Sequence, residues 1–127
     1  MTRLRWLVLL VSLSSVALPQ SAEQEPPEED VALLPKNEYV LNPLQATKEI
    51  RVGNFYFKKG SYKAALRRYE ESIKWDPNSA EGWYRLGETH AKLGDTKAAR
   101  EAWTKYLEIE PDGKNASAVK RRLNQKS

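Results

Sequence analysis

Side-chain chemistry needs partnered groups, and this 127-residue sequence offers few of them. It has no cysteine, which removes thiolate nucleophiles, thiolate metal sites, disulfides and a lipid-bearing Cys together. Its one histidine, His90, has no Ser or Cys at a spacing that suggests a nucleophile and its base. Paired carboxylates occur at Glu70-Glu71 and Glu108/Glu110, but helical patterning places them on exposed faces, where nothing shifts their pKa values toward acid-base work. There is no Gly-rich phosphate loop and no cluster of metal-ligating residues. The sequence therefore predicts no enzyme, no cofactor and no small-molecule substrate. Binding chemistry is what remains: guanidinium groups at Arg51 and Arg85 that suit carboxylates, and aromatic rings at Phe57 and Tyr84 that offer flat apolar anchors.

The charge balance supports a binding module. Lys plus Arg is 21 and Asp plus Glu is 17, for a net charge of +4. Two arginines and five acids (Glu23, Glu25, Glu28, Glu29, Asp30) precede Val31, so the remainder holds 19 basic against 12 acidic groups, a net of +7. At the N-terminus, Arg3 and Arg5 precede an apolar stretch from Trp6 to Leu18, interrupted by Ser12, Ser14 and Ser15. A basic start, a short apolar run and small residues at Ser15 and Ala17 are the pattern of a secretory signal, and the run falls short of the ~20 residues that span a bilayer. Cleavage is expected between Leu18 and Glu23, giving an exported protein, periplasmic or secreted. Residues 23–41 are expected to be a flexible Pro- and Glu-rich linker, since that composition cannot recover its ordering entropy by burial.

The elements that would position Arg51 and Arg85 emerge when the chain is laid over itself. At a shift of 34 residues, nine positions are identical without a gap, among them Arg51/Arg85, Gly53/Gly87, Lys58/Lys92, Lys63/Lys97, Ala65/Ala99 and Pro77/Pro111. Background composition would give about two. Each unit reads as a helical hairpin. Asn42-Pro43 is a start signal, Lys59-Gly60-Ser61 a turn with Ser61 as the next cap, and Asp76-Pro77-Asn78 a stop. In the second unit Gly94-Asp95 is the turn, Asp95 the cap and Pro111 the close. Gly53, Gly87, Ala65 and Ala99 are expected where paired helices approach closely, with small side chains allowing backbone contact. After Asn115, Ala116, Val119 and Leu123 share one face of a last helix, with Lys120, Arg121 and Arg122 turned outward.

The run Trp83-Tyr84-Arg85-Leu86-Gly87, with Gly94, Ala99, Trp103 and Pro111, resembles the tetratricopeptide repeat. Gly53, Tyr56, Gly60, Tyr62, Ala65, Tyr69 and Pro77 carry the same pattern in the first unit, where Glu49 stands in place of the usual aromatic and, in the second, His90 in place of the usual Tyr. The resemblance implies an all-α fold of two hairpins plus a capping helix, divided as signal peptide 1–22, linker 23–41, first repeat 42–79, second repeat 80–113, and capping helix and tail 114–127. It implies a protein or peptide partner held in a groove lined by the first helix of each hairpin. By motif position that groove includes Thr47, Ile50, Arg51, Asn54, Phe57 and Lys58, then Glu81, Tyr84, Arg85, Glu88 and Lys92. The carboxylate-clamping variety of the family usually carries Lys four residues before the Asn matched by Asn54, and Ile50 stands there instead.

A weaker likeness, confined to residues 52–71, is to repeats of the outer-membrane β-barrel assembly lipoproteins, which implies a place in envelope assembly. Against the groove stands a second reading: the basic cluster Lys120-Arg121-Arg122 as a polyanion- or membrane-surface contact, with nucleic acid the less favoured anion. Oligomerisation stays open on the sequence.

Overall fold

The computed structural model describes residues 38–125. The expected signal peptide, most of the linker and the last two residues lie outside them. Five α-helices and no strand occur among the described residues: α1 (Pro43–Lys58), α2 (Tyr62–Trp75), α3 (Ala80–Lys92), α4 (Thr96–Ile109) and α5 (Ala116–Asn124). Helices α1 and α2 form one hairpin and α3 and α4 a second, with α2 packed on α3 and α5 on α4. None of these helices is long and apolar enough to cross a membrane.

Local signals set the helix limits. The Asn42 carboxamide oxygen accepts a hydrogen bond from the Gln45 amide at 3.0 Å, with Pro43 in the first helical position, where its missing N–H costs nothing. Gly60 and Gly94 take φ of +76° and +80°, the left-handed turn a side chain would strain, and so end α1 and α3. Asp95 caps α4 by accepting from the Ala98 amide at 3.1 Å. Neither Ser61 nor Asn115 caps as the sequence suggested, because neither side chain accepts a hydrogen bond from the first turn of its helix.

Two buried clusters hold the array. The first joins Ile50, Tyr56, Ala65, Tyr69 and Leu86. The second joins Ala99, Trp103, Tyr106, Ala116 and Val119 and reaches into α5. The repeated glycines act differently from expectation: they make room for rings rather than for backbone. A Cβ on Gly53 would lie 2.5 Å from the Tyr69 ring, and one on Gly87 would lie 2.3 Å from the Trp103 indole. Tyr69 and Trp103 are themselves 34 residues apart, so the small residue and the ring recur as a unit.

Candidate functional site

Short turns bring α1 and α3 side by side in the same direction, while α5 packs on α4 and reaches α3 through its side chains. One face of α1 carries Thr47, Arg51 and Lys58, all exposed, with Asn54 half-buried beside them. The equivalent face of α3 carries Glu81, Arg85, Glu88 and Lys92. These residues stand at i, i+4, i+7 and i+11, so each set forms a row along its helix. The Arg122 guanidinium on α5 lies 4.0 Å from Glu88, which ties the third helix to the second row. Between α3, the end of α4 and the segment before α5, a cavity of about 420 Å³ opens, with Glu81, Tyr84 and Arg85 on one side and Tyr106, Glu110, Lys114 and Asn115 on the other.

The expected groove residues do not all reach this face. Ile50 is 6% exposed and belongs to the first core cluster with Leu86, so it supports the face from beneath. Phe57 is half-buried, its ring edge-on to Tyr62 at 5.2 Å, so it is a packing residue rather than a free anchor. Asn54 is already engaged, accepting from the Tyr69 hydroxyl at 2.7 Å. Burial pushes the Tyr69 phenol up to about 12, which keeps it a neutral donor. Tyr84 is half-buried against Tyr106, ring centroids 5.6 Å apart, and burial raises its phenol pKa, with the nearby Glu88 carboxylate adding to the rise. Its ring thus forms a wall of the cavity.

Arg85 is the most constrained cation of the face. Its Nε is buried without a hydrogen-bond partner among the described residues, and Glu81 lies 3.8 Å away, too far for a hydrogen bond. The Arg85 side chain as a whole is 33% exposed, so an entering carboxylate would meet its outer guanidinium nitrogens and Lys114, beside the Glu81 and Glu110 carboxylates that share the lining. Lys114 was missed in the sequence because it precedes the last helix, outside both repeats. Its signal would have been its place at the start of a third helix in the array.

Elsewhere the sequence reading needs correction. Glu71 is not an idle surface acid: its side chain is 12% exposed and accepts from the Tyr39 hydroxyl at 2.6 Å and the Lys74 ammonium at 3.1 Å. The basic residues of α5 are all exposed, as the sequence suggested, while Lys120 donates to the Pro111 carbonyl at 3.0 Å and Arg122 stacks on the Trp103 ring at 4.6 Å from its centroid. Among the described residues, no group of three or more His, Cys, Asp or Glu could hold a metal ion.

Antiparallel hairpins stacked so that their first helices share an open face define a helical-repeat protein. The chain belongs to the tetratricopeptide repeat family: a model described as TPR repeat matches residues 53–94, and one described as Tetratricopeptide repeat matches residues 80–112. Hsp70-Hsp90 organizing protein 3 of Arabidopsis thaliana is 31% identical over 78 residues, which are 61% of this chain and 14% of that protein. Stress-induced-phosphoprotein 1 of Caenorhabditis elegans is 50% identical over 40 residues, 32% of this chain and 12% of the relative. The chain thus spans a small part of the curated relatives it matches. A solved structure, the first TPR of Spaghetti (RPAP3) bound to the HSP90 peptide SRMEEVD, is 20% identical, with a TM-score of 0.35 over 70% of this chain and 97% of that one.

Proposed function

We propose that the chain is a non-enzymatic adaptor that holds a segment of a partner protein along the face formed by α1, α3 and α5, in an exported setting such as envelope assembly. The observation that carries this reading is the cavity beside Arg85, where a half-buried guanidinium, the Tyr84 ring and Lys114 converge with the Glu81 and Glu110 carboxylates, offering cations, acids and a ring together. Such a site suits a partner segment that brings an acidic side chain and an apolar neighbour. Two curated relatives carry Hsp70-Hsp90 organization or stress induction in their names, which supports a role in protein assembly. Dependence on a free terminal carboxylate is not expected here, because Ile50 is buried where the clamping Lys would stand.

Site-specific photocrosslinking in the native compartment tests the reading. A probe at Thr47 or Glu81, both exposed on the face, should capture the same partner, while one at Thr104, exposed on α4, should not. Capture from Thr104 with none from the face would refute the adaptor groove. Export is tested separately by N-terminal sequencing: the mature chain should begin between Leu18 and Glu23, and an intact Met1 on exported material would contradict it.

A further inference from the structure

We propose that the edge at which the hairpins turn is a docking surface for an anionic lipid bilayer, distinct from the face between α1, α3 and α5. Helices α1, α3 and α5 end at this edge, and α2 and α4 begin there. The two turns are neighbours, since Leu93 of the second lines a shallow basin with Gly60, Tyr62, Lys63 and Arg67 of the first. The end of α5 joins them, with Arg122 and Gln125 beside Thr96.

The charge of this edge is one-sided. Lys63, Arg67, Lys97 and Arg121 are exposed there, with Lys58 and Lys92 at the corner where the edge meets the groove face, and none lies within ion-pair distance of a carboxylate among the described residues. The nearby acids are Asp95, whose carboxylate already caps α4, and Glu101. The opposite edge holds Glu71, Asp76, Glu108, Glu110 and Asp112, and the ion pairs Lys74–Glu71, Arg85–Glu81 and Lys105–Glu108 lie toward it. A plane of negative charge would attract one edge and repel the other, and so orient the molecule. Lys58/Lys92 and Lys63/Lys97 are identities at the repeat period that no packing requires, since all four are exposed.

The shape favours a bilayer over a peptide. The cations stand at helix ends and turn tips rather than along a groove, so a flat surface reaches them together. Leu93, 37% exposed at the tip of the second turn beside Lys92, can enter the headgroup layer while the lysines stay at phosphate level. Each cation near an anionic leaflet strengthens binding about fivefold, and the attraction fades within a Debye length.

The test is co-sedimentation of residues 23–127, without the expected signal segment, with phosphatidylcholine vesicles, with and without about one-third phosphatidylglycerol. The protein should bind the anionic vesicles in excess of the neutral ones and release as salt rises. Lys63→Gln, Arg67→Gln and Lys97→Gln together should weaken that excess at least about thirtyfold with an unchanged melting curve. Replacing Lys48, Lys74 and Lys105 with Gln removes equal charge away from the edge and should leave most of the binding. Equal losses in both variants, no loss in the edge variant, or no preference for anionic vesicles would overturn the proposal. So would direct binding of poly-glutamate at low salt tighter than that of the anionic vesicles at matched charge, which would assign the edge to an acidic protein. These substitutions lie outside the groove, so their failure leaves the adaptor reading standing.

Discussion

The two hairpins share a backbone plan but close it with different chemistry. In the first, Glu49 on α1 accepts from Arg68 on α2 at 3.3 Å, both side chains 13% exposed, and from Gln45 at 3.0 Å. Thirty-four residues on, the same two positions are Trp83 and Ala102, an indole and a methyl group. The first hairpin also anchors its inserted ring by a hydrogen bond, Tyr69 to Asn54, whereas the Trp103 Nε1 is buried without a hydrogen-bond partner among the described residues. The difference follows from position in the array. The first hairpin has a second one against its α2, while the outer side of the second is covered only by the nine-residue α5, which brings Val119, Ala116 and the Arg122 guanidinium. The repeat geometry thus accepts a polar or an apolar closure, and the end of the array needs a cap suited to a large ring.

The most damaging change to this contrast is removal of residues 114–127. It uncovers Trp103 and Tyr106, 4% and 1% exposed, and should cost the second hairpin about 3 kcal/mol or more, with association of the truncated protein. Urea unfolding and light scattering read both effects, and an unchanged midpoint with a monomeric product would show that α5 is not a cap. Next, Gly87→Ala should be worse than Gly53→Ala, at about 3 against 2 kcal/mol, because the indole is the larger ring and lies closer to the added methyl group. Equal melting temperatures for the two variants would remove that distinction.

Transplanting the closure sharpens the comparison further. Glu49→Trp alone leaves Arg68 half-buried without its carboxylate and should destabilise by about 2 kcal/mol, whereas Glu49→Trp with Arg68→Ala copies the second hairpin and should recover most of the loss. A double variant no better than the single would mean the two positions are not interchangeable units. The smallest expected effect lies at the turns. Asp95→Ala should cost about 1 kcal/mol and Ser61→Ala a few tenths, since only Asp95 holds its helix's first-turn amide. Thermal melts of the two variants decide it.

The repeat, the helix count and the turn glycines were legible because they depend on local signals and on a period. Asn42-Pro43, Gly60 and Gly94 act within a few residues of themselves. The site was less legible, because which side of a helix faces its neighbour is settled across the array. Ile50 shares the turn of α1 with Arg51, yet it is buried in the core cluster that includes Leu86 of α3, while Arg51 stays exposed. The outward side of α5 was legible too, since Lys120, Arg121 and Arg122 are all exposed, but the contacts of Lys120 with Pro111 and of Arg122 with Trp103 were not, because long flexible side chains fold onto whatever group is close. The glycines at 53 and 87 were rightly read as close approaches, but the partner proved to be a ring because residues 69 and 103 lean across from the facing helix.

On the proposed reading, the face between α1, α3 and α5 holds the partner. The most direct test is the affinity of the captured partner for the Arg51→Ala, Arg85→Ala variant and for the Lys120→Gln, Arg121→Gln variant, each at low and physiological salt. Groove binding should lose about 2 kcal/mol, roughly thirtyfold, in the first variant at both salts, with a small, salt-sensitive change in the second. Full binding by the first with loss by the second would contradict it.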